Sequence, residues 1–140
     1  MRPTTPIDPA RTLDGALGFE IELGEEGRVS GRMPVEDRVR QPWGIVHGGA
    51  LAAFAESLSG WATNAVVGPS GLVAVGLSNH TSFMRPIERG TVHGEGRLRH
   101  RGRTTWVWEI DFTDDDGRLC AVSRMTMAVR PEPPPRAQPA

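Results

Sequence analysis

The chain contains no lysine, no tyrosine and a single cysteine, and its sixteen arginines nearly balance its seventeen acids over 140 residues, leaving a formal net charge of −1. Each shortage excludes something. With only Cys120 there is no internal disulfide framework, and the composition suits a reducing compartment. A nearly neutral chain offers no bulk attraction to nucleic acid. No apolar run reaches the roughly eighteen residues that would span a bilayer, and the first residues lack the apolar stretch of a secretory leader, so a soluble, cytoplasmic protein is expected. Because every cation is arginine, each can grip a phosphate with a fork of two hydrogen bonds.

Seventeen glycines and twelve prolines punctuate what remains. Residues 1–13 and the stretch 131–140, PEPPPRAQPA, show little periodicity and read as flexible ends. Between them residues 14–130 form one domain, and a chain of this length can bury a sizeable core.

The segment from Gln41 to Val67, QPWGIVHGGALAAFAESLSGWATNAVV, stands apart. From Gly49 onward it has helical periodicity, with Leu51, Ala55, Leu58, Ala62 and Ala65 on one stripe widened by Phe54 and Trp61. Glu56 is its only charged side chain and points away from that stripe, among Gly49, Ala52, Ala53, Gly60 and Thr63. A surface helix would be charged there, so a second subunit or a ligand is expected to pack on this small-residue face. A carboxylate so placed has either a partner or a task. The His47-Gly48-Gly49 start adds unobstructed backbone N–H donors at the positive end of the helix dipole, suited to an anion or a developing oxyanion. From the residues alone, a glycine turn feeding a packed helix with one tolerated Glu fits equally.

Around this helix the pattern is that of strands. Gly18–Leu23 and Gly27–Met33 alternate on either side of an EEG turn and form a hairpin; Pro34–Gly44 is a loop. Gly68-Pro-Ser-Gly71 ends the helix, and strands follow at about Leu72–Phe83, Thr91–His100, Thr104–Thr113 and Arg118–Val129. The order β-β-α-β-β-β-β gives an α+β fold with an antiparallel sheet curled round one helix. One helix covers only part of a sheet, so a dimer at least is expected.

Gln41, then Gly44-Ile-Val-His-Gly-Gly49, then Glu56, followed by Arg85-Pro-Ile-Glu-Arg-Gly90 and His100-Arg-Gly-Arg-Thr104, carry a likeness over residues 15–130. In these segments the chain resembles the hotdog-fold acyl-CoA thioesterases of the PaaI-like group, in the aromatic branch that includes 4-hydroxybenzoyl-CoA and 1,4-dihydroxy-2-naphthoyl-CoA thioesterases. The resemblance implies a long central helix wrapped by a curved antiparallel sheet, dimers with a continuous sheet and active sites at their interface, and dimers pairing into tetramers. It implies that Glu56 is nucleophile or general base, that the Gly48 N–H polarises the thioester carbonyl, and that Gln41 and His47 position it. Gly49, Gly60, Asn79 and His80 would meet the acyl group, while Arg85, Gly102, Arg103 and Thr104 would hold the phosphates of coenzyme A. No cofactor beyond the substrate's own coenzyme A is implied. Where this branch usually carries Ser or Thr, four residues after the carboxylate, this chain has Gly60.

Other signals are weaker. The histidines lack metal-ligand spacing, and His80, His93 and His100 suit ordinary strand positions. Ser57 has no nucleophile elbow and Cys120 no base motif. Asp114-Asp-Asp-Gly117 reads as a hairpin turn rather than a calcium loop, and the four tryptophans as core or interface. Besides thioester hydrolysis, two functions stay open: a hotdog hydratase or dehydratase, and a non-catalytic acyl-CoA binder or proofreading partner.

Overall fold

The computed structural model describes residues 3–134. The elements are α1 (Leu13–Leu17), β1 (Glu20–Leu23), β2 (Arg28–Pro34), α2 (Gly48–Val67), β3 (Leu72–Phe83), β4 (Thr91–Arg101), β5 (Thr105–Thr113) and β6 (Leu119–Pro131). All six strands join one sheet in the order β1-β2-β4-β5-β6-β3, each pair antiparallel. The expected β-β-α-β-β-β-β order holds. One element was not foreseen: α1 begins at the last position of residues 1–13, whose expected irregularity is also interrupted by a 3-10 turn at Pro9–Arg11 capped by the Asp8 carboxylate on the Ala10 N–H, 3.0 Å. At the other end β6 runs to Pro131 and Glu132 N–H still donates to Gly71 O, so the first residues of the stretch expected to be irregular are ordered; residues 1–2 and 135–140 lie outside the described residues.

The sheet wraps α2 because its strands bury alternate residues: β5 presents Trp106, Trp108, Ile110 and Phe112 inward and half-buried residues outward. Phe54 stacks on Phe19 (centroids 4.6 Å apart) and on Phe112 (5.6 Å), threading α2 into the core. Burying Phe54 and Leu58, both fully enclosed, contributes roughly 1.5–3 kcal/mol each.

The buried face of α2 is displaced from the expected stripe. Trp61 and Ala65 are only half-buried, whereas Ser59 and Thr63 are fully enclosed. The cause is Trp108, whose Nε1–H donates to Thr63 Oγ1 at 2.9 Å. Both hydroxyls donate back to their own helix, Thr63 to Ser59 O (2.7 Å) and Ser59 to Ala55 O (2.8 Å), so no hydrogen-bonding group is stranded.

Strand β3 is an open edge and runs beside α2 in the opposite direction. Val75, Leu77 and Phe83 along it, and Met84 just beyond, are all more than half exposed. Asn64 of α2 closes one point of this edge, its amide donating to Ala74 O (3.0 Å) and accepting from Ala74 N–H (2.9 Å). From Val75 to Phe83 β3 is the last strand of the sheet and carries exposed apolar side chains at Val75, Leu77 and Phe83 among polar ones, an open edge of the kind that recruits another strand.

Candidate active site

His47 caps α2 in extended backbone geometry, and its Nδ1 accepts the Gly49 N–H at 2.8 Å. Its own N–H donates to Val39 O and the preceding Val46 N–H to Ile87 O, both at 2.8 Å, so three buried aliphatic residues hold the turn. In the neutral ring Nδ1 is thereby the acceptor and Nε2 carries the proton. The expected pair of glycine donors is reduced to one: Gly49 N–H is consumed by His47, and Gly49 is not a free donor for a substrate. Gly48 N–H has no partner among the described residues. It has no side chain for a steric reason also, since a Cβ there would stand 2.8 Å from the Phe83 ring. Gln41 sits one turn upstream, its N–H donating to Ile45 O and its carbonyl accepting from Gly44 N–H, both 2.9 Å, with Gly44 at φ 94°. That turn presents the half-buried Gln41 beside the helix start.

Glu56 leaves α2 toward β3, where a Cβ at Gly76 would be 2.8 Å from its Oε1. The carboxylate is exposed in the single chain, so the burial expected for it is not supplied within one protomer. It lines a cavity of about 960 Å³ together with Ala53, Gly60, Trp61, Val75 and Met127. Gly60 opens onto this space: the nearest atom to a Cβ there is Met127 Cε at 4.0 Å.

Eight helix positions separate Gly48 from Glu56, about 12 Å at 1.5 Å per residue. A thioester carbonyl is far smaller. Within one chain, therefore, the donor and the carboxylate do not meet at a single carbonyl, contrary to their closeness in sequence.

The remaining candidates divide. Asn79 faces α2 but its amide is committed, donating to Ala52 O (2.8 Å) while its oxygen accepts from Thr81 Oγ1 (2.7 Å). Strand alternation turns His80 to the opposite face, in register with Arg124, so it does not line the Glu56 cavity. Gly102, Arg103 and Thr104 form the β4–β5 turn, with Gly102 O accepting from Trp106 Nε1 (3.0 Å) and Thr104 O from Val129 N–H (2.9 Å). A Cβ at Gly102 would lie 2.7 Å from Thr105 O. Arg85 lies beyond the far end of β3. Registers set Thr105 level with Ala128 and Phe83 level with Ala121, so Arg85 and Arg103 stand at opposite ends of the sheet, more than about 20 Å apart. One protomer does not bring them to one phosphate group.

Burial pushes the Cys120 thiol up, and Asp114 adds to the effect, so Cys120 supplies no ready thiolate. His93 is engaged by Asp115 at 2.8 Å. Among the described residues no group of three or more His, Cys, Asp and Glu side chains clusters as a metal site, and no helix is long and apolar enough to cross a membrane. Three residues of the site were not singled out by sequence: Gly76, Phe83 and Asp14. Asp14 accepts from Ser57 Oγ at 2.6 Å and Trp61 Nε1 at 2.8 Å, a contact spanning more than forty positions that no local pattern announces.

Comparison with known proteins places this geometry in context. A family described as the thioesterase superfamily matches residues 44–121. The proofreading thioesterase EntH of Klebsiella pneumoniae is 38% identical over 121 residues, covering 84% of this chain and 85% of that protein. The 1,4-dihydroxy-2-naphthoyl-CoA hydrolase of Escherichia coli is 34% identical over 115 residues, covering 82% and 84%. Among solved structures, a variant of thioesterase PA1618 from Pseudomonas aeruginosa superposes with a TM-score of 0.84 at 36% identity, covering 88% of each chain. Two structures of SAV0944 from Staphylococcus aureus, at TM-scores of 0.81 and 0.82 and 30% and 31% identity, cover 85% and 86% of this chain and 98% and 99% of theirs. One carries a glutamine-to-alanine replacement and the other a glutamate-to-alanine replacement fifteen positions later.

Proposed function

Since the chain belongs to the thioesterase superfamily and has its hotdog fold, we propose that it hydrolyses an acyl-CoA thioester, with an aromatic or otherwise bulky acyl group, to the free acid and coenzyme A. Glu56 is the carboxylate that attacks the carbonyl carbon or draws a proton from the attacking water. The Gly48 N–H, at the start of α2, receives the charge that develops on the carbonyl oxygen. A thiolate leaves readily, so help with attack and with oxyanion charge is what this reaction most needs; removing one such donor costs about 10²–10³ in rate in other enzymes. An ionised Glu needs no second base to activate it.

The observation that carries the reading is the pairing of an unpartnered Gly48 N–H with a carboxylate opening on an apolar-walled cavity, one turn and a half further along the same edge than one substrate carbonyl can span. A second copy resolves the distance. Gly48 sits level with Phe83 and Glu56 level with Gly76, so two β3 edges paired antiparallel about their middle bring the Gly48 N–H of one copy opposite Glu56 of the other. The same two-fold brings Arg85 of one copy toward the Arg103 end of the other, where both can reach the phosphates of one coenzyme A. The site is then complete only in a dimer, which in this branch pairs again to a tetramer.

Further support comes from spacing. Gln41 and Glu56 are fifteen positions apart, the interval between the two residues replaced in SAV0944. The name of the E. coli relative supports an aromatic acyl group, and that of the Klebsiella pneumoniae relative, a proofreading thioesterase, supports a second reading of the same chemistry, in which unwanted acyl groups are cleared from a larger synthase.

The test is thiol release from benzoyl-, phenylacetyl-, dihydroxynaphthoyl- and straight-chain acyl-CoA, and from acyl groups on a carrier protein, with wild type beside Glu56→Gln. Turnover of one class, lower by about 10³ or more in the variant, is expected. Equal rates would remove Glu56 from the mechanism.

A further inference from the structure

The carboxylate of Asp14 has a place in the cavity that the reaction itself does not require. It comes from the five-residue helix α1, while both groups it accepts from belong to α2: Ser57 Oγ on one oxygen (2.6 Å) and Trp61 Nε1 on the other (2.8 Å). Ser57 and Trp61 are one turn apart and each follows a residue of the site, Ser57 after Glu56 and Trp61 after Gly60. The cavity is bounded by this same group: Glu56, Gly60 and Trp61 on the helix side, and Asp14, Leu13 and the strap Pro3–Pro6 facing them. With no side chain at Gly60 and 4.0 Å from a Cβ there to the nearest atom, Met127 Cε, the space beside the carboxylate is open, and Trp61 is the aromatic side chain among the residues that line it.

We propose that Asp14 is a positioning residue that determines acyl specificity: by holding Trp61 and the N-terminal segment against α2, it forms the closed end of a chamber for a large, flat apolar acyl group beside Glu56. This rests on the reading of Glu56 as the reacting carboxylate. The physical basis is that an indole tied at Nε1 cannot swing across Gly60, so the chamber is formed before substrate arrives and its ordering is not charged against binding. A short acyl group at the carbonyl does not reach the wall and is indifferent to it.

The experiment compares wild type, Asp14→Ala and Trp61→Phe, which keeps an aromatic ring, smaller than the indole and without the N–H that Asp14 accepts. Two readouts are taken: kcat and KM for acetyl-CoA against benzoyl- and naphthoyl-CoA, and calorimetric binding of non-cleavable thioether analogues, S-methyl-CoA against S-(2-naphthyl-2-oxoethyl)-CoA. The expected result is a loss of about tenfold in affinity and in kcat/KM for the aromatic compounds, carried by KM, with the short ones unchanged within about twofold. An equal loss for short and aromatic compounds, or none for either, overturns the proposal and leaves Asp14 a structural tie. If wild type binds the naphthyl analogue but cleaves no thioester, the hydrolase reading fails while the binding comparison still decides the role of Asp14. If it binds neither analogue, there is no such chamber.

Discussion

Glu56 lies against the α-carbon of Gly76, so closely that a methyl group there would stand 2.8 Å from Oε1 and 3.1 Å from Cδ. The position that is smallest in β3 faces the one charge on the long helix. That contact ties the strand to the Glu56 carboxylate without a hydrogen bond.

Gly76→Ala therefore separates fold from activity. The methyl meets the far end of a flexible side chain, which can move aside, so thermal unfolding should shift by only a few degrees. Thiol release should fall by about 10- to 100-fold, because a displacement on the order of 1 Å is costly to a reacting group. A variant with wild-type turnover would show that Glu56 does not react from this position.

Gly48→Ala keeps the N–H but sets a methyl 2.8 Å from the Phe83 ring, where close approach is needed. A rate loss of about 10–10² is expected. Mixed with Glu56→Gln and allowed to exchange subunits, it should recover about a quarter of wild-type activity, because each heterodimer holds one site with both groups intact. A site contained in a single chain would recover nothing, so this mixture discriminates directly.

Thr63→Val tests the core rather than the chemistry. It preserves shape but leaves the Trp108 Nε1–H, which is almost fully buried, without its acceptor. The cost should be roughly 1–3 kcal/mol, seen as a lower urea midpoint with unchanged slope, and kcat should be untouched.

Asp114 gives the pH dependence. Its desolvation raises the carboxyl pKa, but hydrogen bonds from the Arg118 and Asp116 N–H groups and the Arg118 guanidinium outweigh this, and the net shift is downward. A depressed carboxylate contributes stability above its unfolded pKa and loses it as the pH falls through the folded one. Asp114→Asn should accordingly unfold at a lower temperature than wild type at pH 7, the gap narrowing as the pH drops below about 4. A gap that persists at low pH would assign the effect to something other than this charge.

Much of the fold was legible in the sequence because its causes are local. Alternation and turn glycines located all six strands to within a residue or two at most ends, and apolar spacing located α2. The lone charge among small residues singled out Glu56 as a candidate, and the glycines after His47 singled out the Gly48 N–H. The short helix α1 was missed, since five residues carry too little periodicity to be seen. Thr63 was assigned to the face of Glu56 and is instead fully buried, since a hydroxyl's burial depends on which group reaches it, here Trp108 from β5.

Sequence by itself determined the six strands, the long helix and the residue types able to polarise and attack a carbonyl, because backbone dihedrals follow from neighbours along the chain. Only the tertiary structure decided which of those residues meet. It spent Gly49 N–H on His47, turned His80 away from the cavity, set Arg85 and Arg103 at opposite ends of the sheet, and brought Asp14 to Ser57 and Trp61. Those outcomes depend on strand register and on the fixed 1.5 Å rise of a helix, which convert small sequence separations into distances no local pattern records.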